Sequence, residues 1–224
     1  MGMEKELESY IKNGYFILNN HVSVGVLKYL KEYTLLLKKR MISNPNFETS
    51  TKPNGSGFYG RFHDMASSSP LADDIENKKL FDIYTSKMMY DISVKYLQTD
   101  EVYLFNDQVV VKLPNEDFSY ESHRDNQFGP HPNRTDLKTM NCMIVLDDFT
   151  DDNGAFYIKN IHTDSWDTIY PKVGDILLMN GDTYHKSGNN ISENSRAVYI
   201  CVYSTEPFGK NFDRGYYYER FTSR

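Results

Sequence analysis

Six histidines and 19 aspartates stand among the 224 residues of the chain, and two of them fall together in "SYESHRDNQFG", residues 119–129. In an extended segment the side chains at i and i+2 point the same way. His123 and Asp125 could therefore reach one ion from the end of a strand. A composition like this produces about half of one His-x-Asp triplet by chance, so the triplet needs support from the rest of the chain. A second one, His162-Thr163-Asp164, does occur. A non-heme Fe(II) centre takes two imidazoles and one carboxylate on one side of the metal and leaves the remaining positions open. The third ligand must then come from further along, and His131, His162 and His185 are the downstream candidates. Only 22 residues separate His162 from His185, against 61 between His123 and His185, which gives the second triplet less chain in which to turn back.

His185 closes the stretch "VGDILLMNGDTYH", which reads as a turn, a strand and a short loop. Eleven residues later Arg196 opens "RAVYICVYS" and shares one face with Val198, Ile200 and Val202. A guanidinium on an aliphatic face is costly unless an anion meets it. A carboxylate engaging it in bidentate fashion would satisfy it, and the far carboxylate of 2-oxoglutarate is such a group. An ion pair with a nearby aspartate is the simpler alternative.

The elements that must position these residues are readable in outline. Leu7, Tyr10 and Ile11 mark a helix over 4–13, stopped by Gly14. "YFILNN" follows as a short buried strand. Ser23 then caps a helix whose apolar positions are Val26, Leu27, Leu30, Tyr33 and Leu37. Lys38, Lys39 and Arg40 sit at its C-terminal end, where positive charge suits the helix dipole. Periodicity vanishes over about 43–70, a Ser-, Asn-, Gly- and Pro-rich stretch containing "GFYGRFH", and a mobile lid is the expectation there. A helical pattern resumes over about 72–97. After Glu101 come the strands "VYLFNDQVVVKL", "TMNCMIVLDDF", "GAFYI", "DILLM" and "RAVYICVYS". Asn153-Gly154 predicts a hairpin between two of them, and Lys172-Val173-Gly174-Asp175 a turn into another. Residues 128–136 form a loop by their Pro and Asn content. Helices followed by antiparallel strands make an α+β chain with a sandwich or barrel at its core.

The chain is 39% apolar and 14% aromatic, enough for a sizeable core, and its length suits one domain over 1–224. A net charge of −6 argues against a nucleic-acid partner. No run of 18 apolar residues suggests a membrane span, and the N-terminus lacks the apolar segment of a signal peptide. Cys142 and Cys201 both lie in apolar runs, and buried free thiols in a reducing, cytoplasmic setting are expected.

Taken together, the "NGYFIL" opening, "LFNDQVVVKLP", the "HRD" triplet, "LDDFTDDNGAFYI" and "GDILLMNGDTYHKSGNN…SRAVYICVY" resemble the phytanoyl-CoA dioxygenase family of Fe(II)/2-oxoglutarate oxygenases. The resemblance implies a double-stranded β-helix (jelly-roll) core over about 101–206. N-terminal helices, about 1–100, would pack on one sheet, and 207–224 would form a C-terminal extension. It implies iron ligands at His123, Asp125 and His185, and a cosubstrate grip at Arg196. Ser187, two residues past the distal histidine, matches a family hydroxyl. Gln108 and Asn141 would line the 2-oxoglutarate pocket from neighbouring strands. His162 falls in a loop near the mouth and is then a rim residue. The implied reaction consumes 2-oxoglutarate and O2, releases succinate and CO2, and hydroxylates an unactivated C–H bond. The intact carboxylate at Asp125 fits hydroxylation, since related halogenases carry a small residue there; desaturation or ring closure is the alternative outcome, needing only different substrate placement.

Two rival readings are a cupin-type metal enzyme that uses no 2-oxoglutarate and a non-catalytic jelly-roll binding module. Arg196 discriminates against the first and the intact ligand set against the second. Substrate contacts are expected from Tyr59, Arg61 and His63 in the lid-like stretch and from Asn126, Gln127 and Arg134 in the loop after the triplet. Their polarity points to a polar small molecule such as an amino acid or a natural-product intermediate. The sequence carries no indication of oligomeric state.

Overall fold

"RAVYICVYS" puts two kinds of residue on alternate sides of one strand. Arg196, Val198, Ile200 and Val202 face one way, and Ala197, Tyr199, Cys201 and Tyr203 the other. All are buried, so this strand must be covered on both faces. The fold supplies both covers. A computed structural model describes residues 2–43, 60–63, 75–115, 117–128, 137–206 and 220–221.

The described elements run α1 (Gly2–Asn13), β1 (Tyr15–Leu18), α2 (Val24–Ser43), β2 (Gly60–His63), α3 (Ile75–Tyr84), α4 (Lys87–Leu97) and β3 (Val102–Lys112). They continue with β4 (Tyr120–His123), β5 (Thr139–Val145), β6 (Phe156–Lys159), β7 (Trp166–Ile169), β8 (Ile176–Asn180), β9 (His185–Ser187), β10 (Arg196–Ser204) and β11 (Arg220–Phe221). The larger sheet has the order β1-β8-β5-β10-β3-β11, and β2 also pairs with β3. The smaller sheet has the order β4-β9-β6-β7. Every pairing is antiparallel. This is the expected jelly roll with helices on one sheet.

One core lies between the helices and the outer face of the larger sheet. There Leu30, Leu37, Leu80, Tyr84, Met89 and Leu97 pack on Val109, Ile144, Tyr199 and Cys201. The other fills the sandwich with Val110, Val145, Phe149, Phe156, Ile158, Leu177 and Val198. Each such aliphatic or aromatic side chain contributes about 1.5–3 kcal/mol on burial. Cys142 and Cys201 are register partners in the first core, and burial pushes both thiols up. Tyr84 ties helix to sheet. Its hydroxyl donates toward the carbonyls of Val202 (2.7 Å) and Asn106 (2.9 Å) and accepts the N–H of Phe105 (3.1 Å). Those groups surround the register shift between β3 and β10.

Several expectations need correction. The helical pattern over 72–97 is two helices, because Ser86 interrupts it and caps α4 through the N–H of Met89. The Asn153-Gly154 pair does not close a hairpin. The strands on either side, β5 and β6, belong to different sheets, and the loop carries the chain across the sandwich. Gly154 does use its left-handed freedom (φ +95°), and a side chain there would strike that of Lys112. Within the stretch expected to be a lid, residues 60–63 are a strand on β3, and 44–59 and 64–70 lie outside the described residues. The short strands β7 and β9 escaped the sequence reading, and both belong to the smaller sheet with β4, whose last residue is His123.

Candidate metal centre

β4 and β9 pair so that His123, the last residue of one, is the register partner of His185, the first of the other. Their rings lie 4.3 Å apart between centroids. Backbone carbonyls fix both tautomers. Nδ1 of His123 is 2.6 Å from the Glu121 carbonyl, and Nδ1 of His185 is 3.0 Å from that of Thr183. A carbonyl only accepts, so each Nδ1 carries a proton, and Nε2 is the atom left to serve as a metal ligand. Asp125 opens a 3-10 turn, Asp125–Phe128, directly after β4. Its Oδ1 lies 3.9 Å from Nε2 of His123 and 3.7 Å from Nε2 of His185. One ligand atom from each residue lies within 4.8 Å of the others, and no second such group occurs among the described residues. Two imidazoles and a carboxylate converge here with their outer atoms already hydrogen-bonded, a donor set that fits an Fe(II) ion.

The turn carrying Asp125 is held from below. The N–H of Asn126 donates to the Gly181 carbonyl at 2.9 Å, and the Thr139 hydroxyl donates to Asn126 Oδ1. Gly181 admits this approach because a Cβ there would collide with Thr139 and Asn126. The loop delivering His185 is anchored at the far end of the sequence. The Thr183 hydroxyl donates to the Gly14 carbonyl at 2.7 Å, and Gly14 takes φ +79° to present it.

A cavity runs from the three ligand residues down between the sheets, past Gln108, Asn141, Met143, Ser187 and Arg196. Register explains this lining. Gln108, Ile200 and Met143 form one cross-strand row, Val110 and Val198 sit in the next, and Arg196 lies two residues before Val198 on the same face. Arg196 is 3% exposed. Its Nε donates to the Asn153 carbonyl at 3.2 Å, and its guanidinium carbon lies 4.2 Å from the Phe149 ring centre. Among the described residues it forms no ion pair with a carboxylate. Asp147 instead accepts the N–H of Ala197. Burial pushes the Arg196 pKa down to about 10, with Tyr120 and Asp147 pulling the other way, and the group stays a cation at neutral pH. A buried cation facing a cavity fits an anionic occupant.

The expected site residues divide. His123, Asp125, His185, Arg196, Ser187, Asn141 and Gln108 line this one cavity. Asn141 also donates from Nδ2 to Asp125 Oδ2 at 3.0 Å. Of the expected substrate contacts, Asn126 and Gln127 do not line the cavity. Asn126 is buried in the scaffold as described, and exposed Gln127 accepts the N–H of Arg124 at 3.4 Å. Arg61 and His63 occupy register positions opposite Val110 and Gln108, while Tyr59 and Arg134, like His131, lie outside the described residues. His162 is exposed, and its Nε2 meets the Lys12 carbonyl at 2.9 Å. Two residues went unread in the sequence. Lys112 is 1% exposed and donates to the Phe118 carbonyl at 2.8 Å, and Tyr120 joins the cavity wall. Lys112 follows Gln108 and Val110 at every second position, and that alternation was the available signal.

The model of the phytanoyl-CoA dioxygenase family matches residues 12–198. No curated protein matches the sequence. Among solved structures, the epimerase SnoN in complex with Fe3+, α-ketoglutarate and nogalamycin RO is 15% identical. The match covers 90% of this chain and 83% of that one, with a TM-score of 0.69. EctD from S. alaskensis with 2-oxoglutarate and 5-hydroxyectoine is 16% identical over 89% of this chain and 74% of its own, with a TM-score of 0.69. AviO1 from Streptomyces viridochromogenes Tue57 is 16% identical over 92% and 98%, with a TM-score of 0.72. At these identities the likeness is one of fold.

Proposed function

Since the chain belongs to the phytanoyl-CoA dioxygenase family, whose members are Fe(II)/2-oxoglutarate-dependent oxygenases, we propose that it hydroxylates an unactivated C–H bond of a polar small molecule, with iron held by His123, Asp125 and His185. The observation that carries this reading is the pairing of two features in one cavity. A two-histidine, one-carboxylate cluster lies at one end and a buried guanidinium without a carboxylate partner among the described residues at the other. A cupin-type metal enzyme without 2-oxoglutarate would have no use for that cation.

Bound iron, with 2-oxoglutarate and O2, supplies the oxidising chemistry and releases succinate and CO2. The protein contributes position and exclusion of water. The carbonyls of Glu121 and Thr183 hold the two imidazoles with Nε2 toward Asp125. Arg196, backed by Phe149, receives the distal carboxylate of the cosubstrate. Gln108 and Ser187 flank it, and Val110, Val198 and Ile200 dry the walls, which strengthens that ion pair. The small molecules held by SnoN and EctD support a small-molecule substrate for this chain as well. Its low cysteine content supports a cytoplasmic setting, and no helix among the described residues is long and apolar enough to cross a membrane.

The test is a screen of amino acids and natural-product intermediates with Fe(II) and 2-oxoglutarate supplied, following succinate. Substrate-stimulated succinate that disappears on chelation of iron is the expected result. Succinate formation indifferent to iron would refute the reading.

A further inference from the structure

Asn141 is 3% exposed and lies on the cavity wall. Its Nδ2 donates to Oδ2 of Asp125 at 3.0 Å. Turning the amide over would set its oxygen against a carboxylate oxygen, so chemistry fixes the orientation. Oδ1 of Asn141 is then buried without a hydrogen-bond partner among the described residues. A buried acceptor left this way is costly and calls for a donor. Carboxylate oxygens are acceptors too and cannot satisfy it; an O–H or N–H can.

Asp125 is shaped by the same contact. With Oδ2 engaged by Asn141, the oxygen left facing both imidazoles is Oδ1, at 3.9 and 3.7 Å. We infer that Asn141 is a positioning residue that makes Asp125 a one-oxygen ligand. It restrains Oδ2 from joining Oδ1 on the ion, which preserves a coordination position that a chelating carboxylate would occupy. Its own buried Oδ1 receives an O–H or N–H donor from water or substrate. This assigns Asn141 to the metal side of the cavity, in place of the cosubstrate contact expected from its strand position. The inference rests on the iron-site reading above.

The experiment uses the full chain and Mn(II) alone as the first probe. Wild type, Asn141→Leu and Asn141→Ala are titrated with Mn(II), following the free-ion electron paramagnetic resonance signal, and the spectrum of the bound ion is recorded. The Mn(II)-saturated proteins are then titrated calorimetrically with 2-oxoglutarate. Loss of a group that orients a ligand weakens metal binding by about 10–100-fold. That loss is expected in both variants, with a changed bound-ion spectrum and an unchanged 2-oxoglutarate affinity. Should Asn141→Leu fail to fold, Asn141→Ala is judged by the same comparison. An unchanged bound-ion spectrum in both variants would overturn the inference, and weakened 2-oxoglutarate binding beside it would return Asn141 to the cosubstrate. A wild-type protein that binds no Mn(II) would overturn the iron-site reading itself, and this inference with it.

Discussion

The guanidinium carbon of Arg196 sits 4.2 Å from the centre of the Phe149 ring. The ring gives the cation an attractive surface on one side and leaves its donors to the cavity and to the Asn153 carbonyl. That arrangement prepares the group for an anion that the described protein does not itself supply.

Arg196→Leu is therefore expected to weaken 2-oxoglutarate binding and leave metal binding nearly unchanged. A charge-assisted pair contributes about 1.5–3 kcal/mol, and stranding one partner of a buried pair costs about 3–5 kcal/mol. At about 1.4 kcal/mol per tenfold, affinity falls by roughly one to four decades. Paired titrations of metal and 2-oxoglutarate in wild type and variant check this. Unchanged 2-oxoglutarate affinity would favour a metal enzyme that does not use it.

Gly181→Ala is expected to damage the site from outside the cavity. The added methyl meets the Thr139 hydroxyl and Asn126 Oδ1, both buried beneath the turn that presents Asp125. Overpacking of this kind costs about 1–3 kcal/mol. A lowered melting temperature together with weakened Mn(II) binding is the expected pair of results. A variant that lost neither would show that the turn does not depend on this contact.

Tyr84→Phe separates scaffold from site. It removes the hydroxyl that serves the β3–β10 irregularity, on the side of the sheet away from the cavity. Leaving those backbone groups short of a partner costs about 1–3 kcal/mol. Denaturant unfolding should register that loss, while Mn(II) and 2-oxoglutarate affinities stay at wild-type values. A large change in either affinity would mean that the irregularity shapes the cavity.

How far the site was legible depended on the length scale of each signal. β3, β5 and β10 are long and buried on both faces, so their apolar runs announced them. Arg196 announced itself by standing on an aliphatic face. β4 and β9 have four and three residues, too few for any period to show. What makes them strands is pairing across 61 intervening residues, and that pairing is what joins His123 to His185. Asn126 misled for a related reason. Its polarity beside the triplet suggested a substrate contact, but its partners, Thr139 and Gly181, are distant in sequence and hold it inside the scaffold. Asn153-Gly154 gave the right backbone conformation at Gly154 and the wrong connection, because a local turn signal does not say which sheet the next strand joins.

The most direct measurement of the central claim is optical. Fe(II) is added to the protein without oxygen, 2-oxoglutarate follows, and the visible spectrum is recorded for wild type and for His123→Ala, Asp125→Ala and His185→Ala, with circular dichroism to confirm that each is folded. Chelation of Fe(II) by 2-oxoglutarate produces a visible metal-to-ligand charge-transfer band. The account predicts that band in wild type and its loss or strong weakening in each folded variant. A wild-type protein with no band, or a folded variant that keeps it at full strength, would contradict the assignment of these three residues as the iron site.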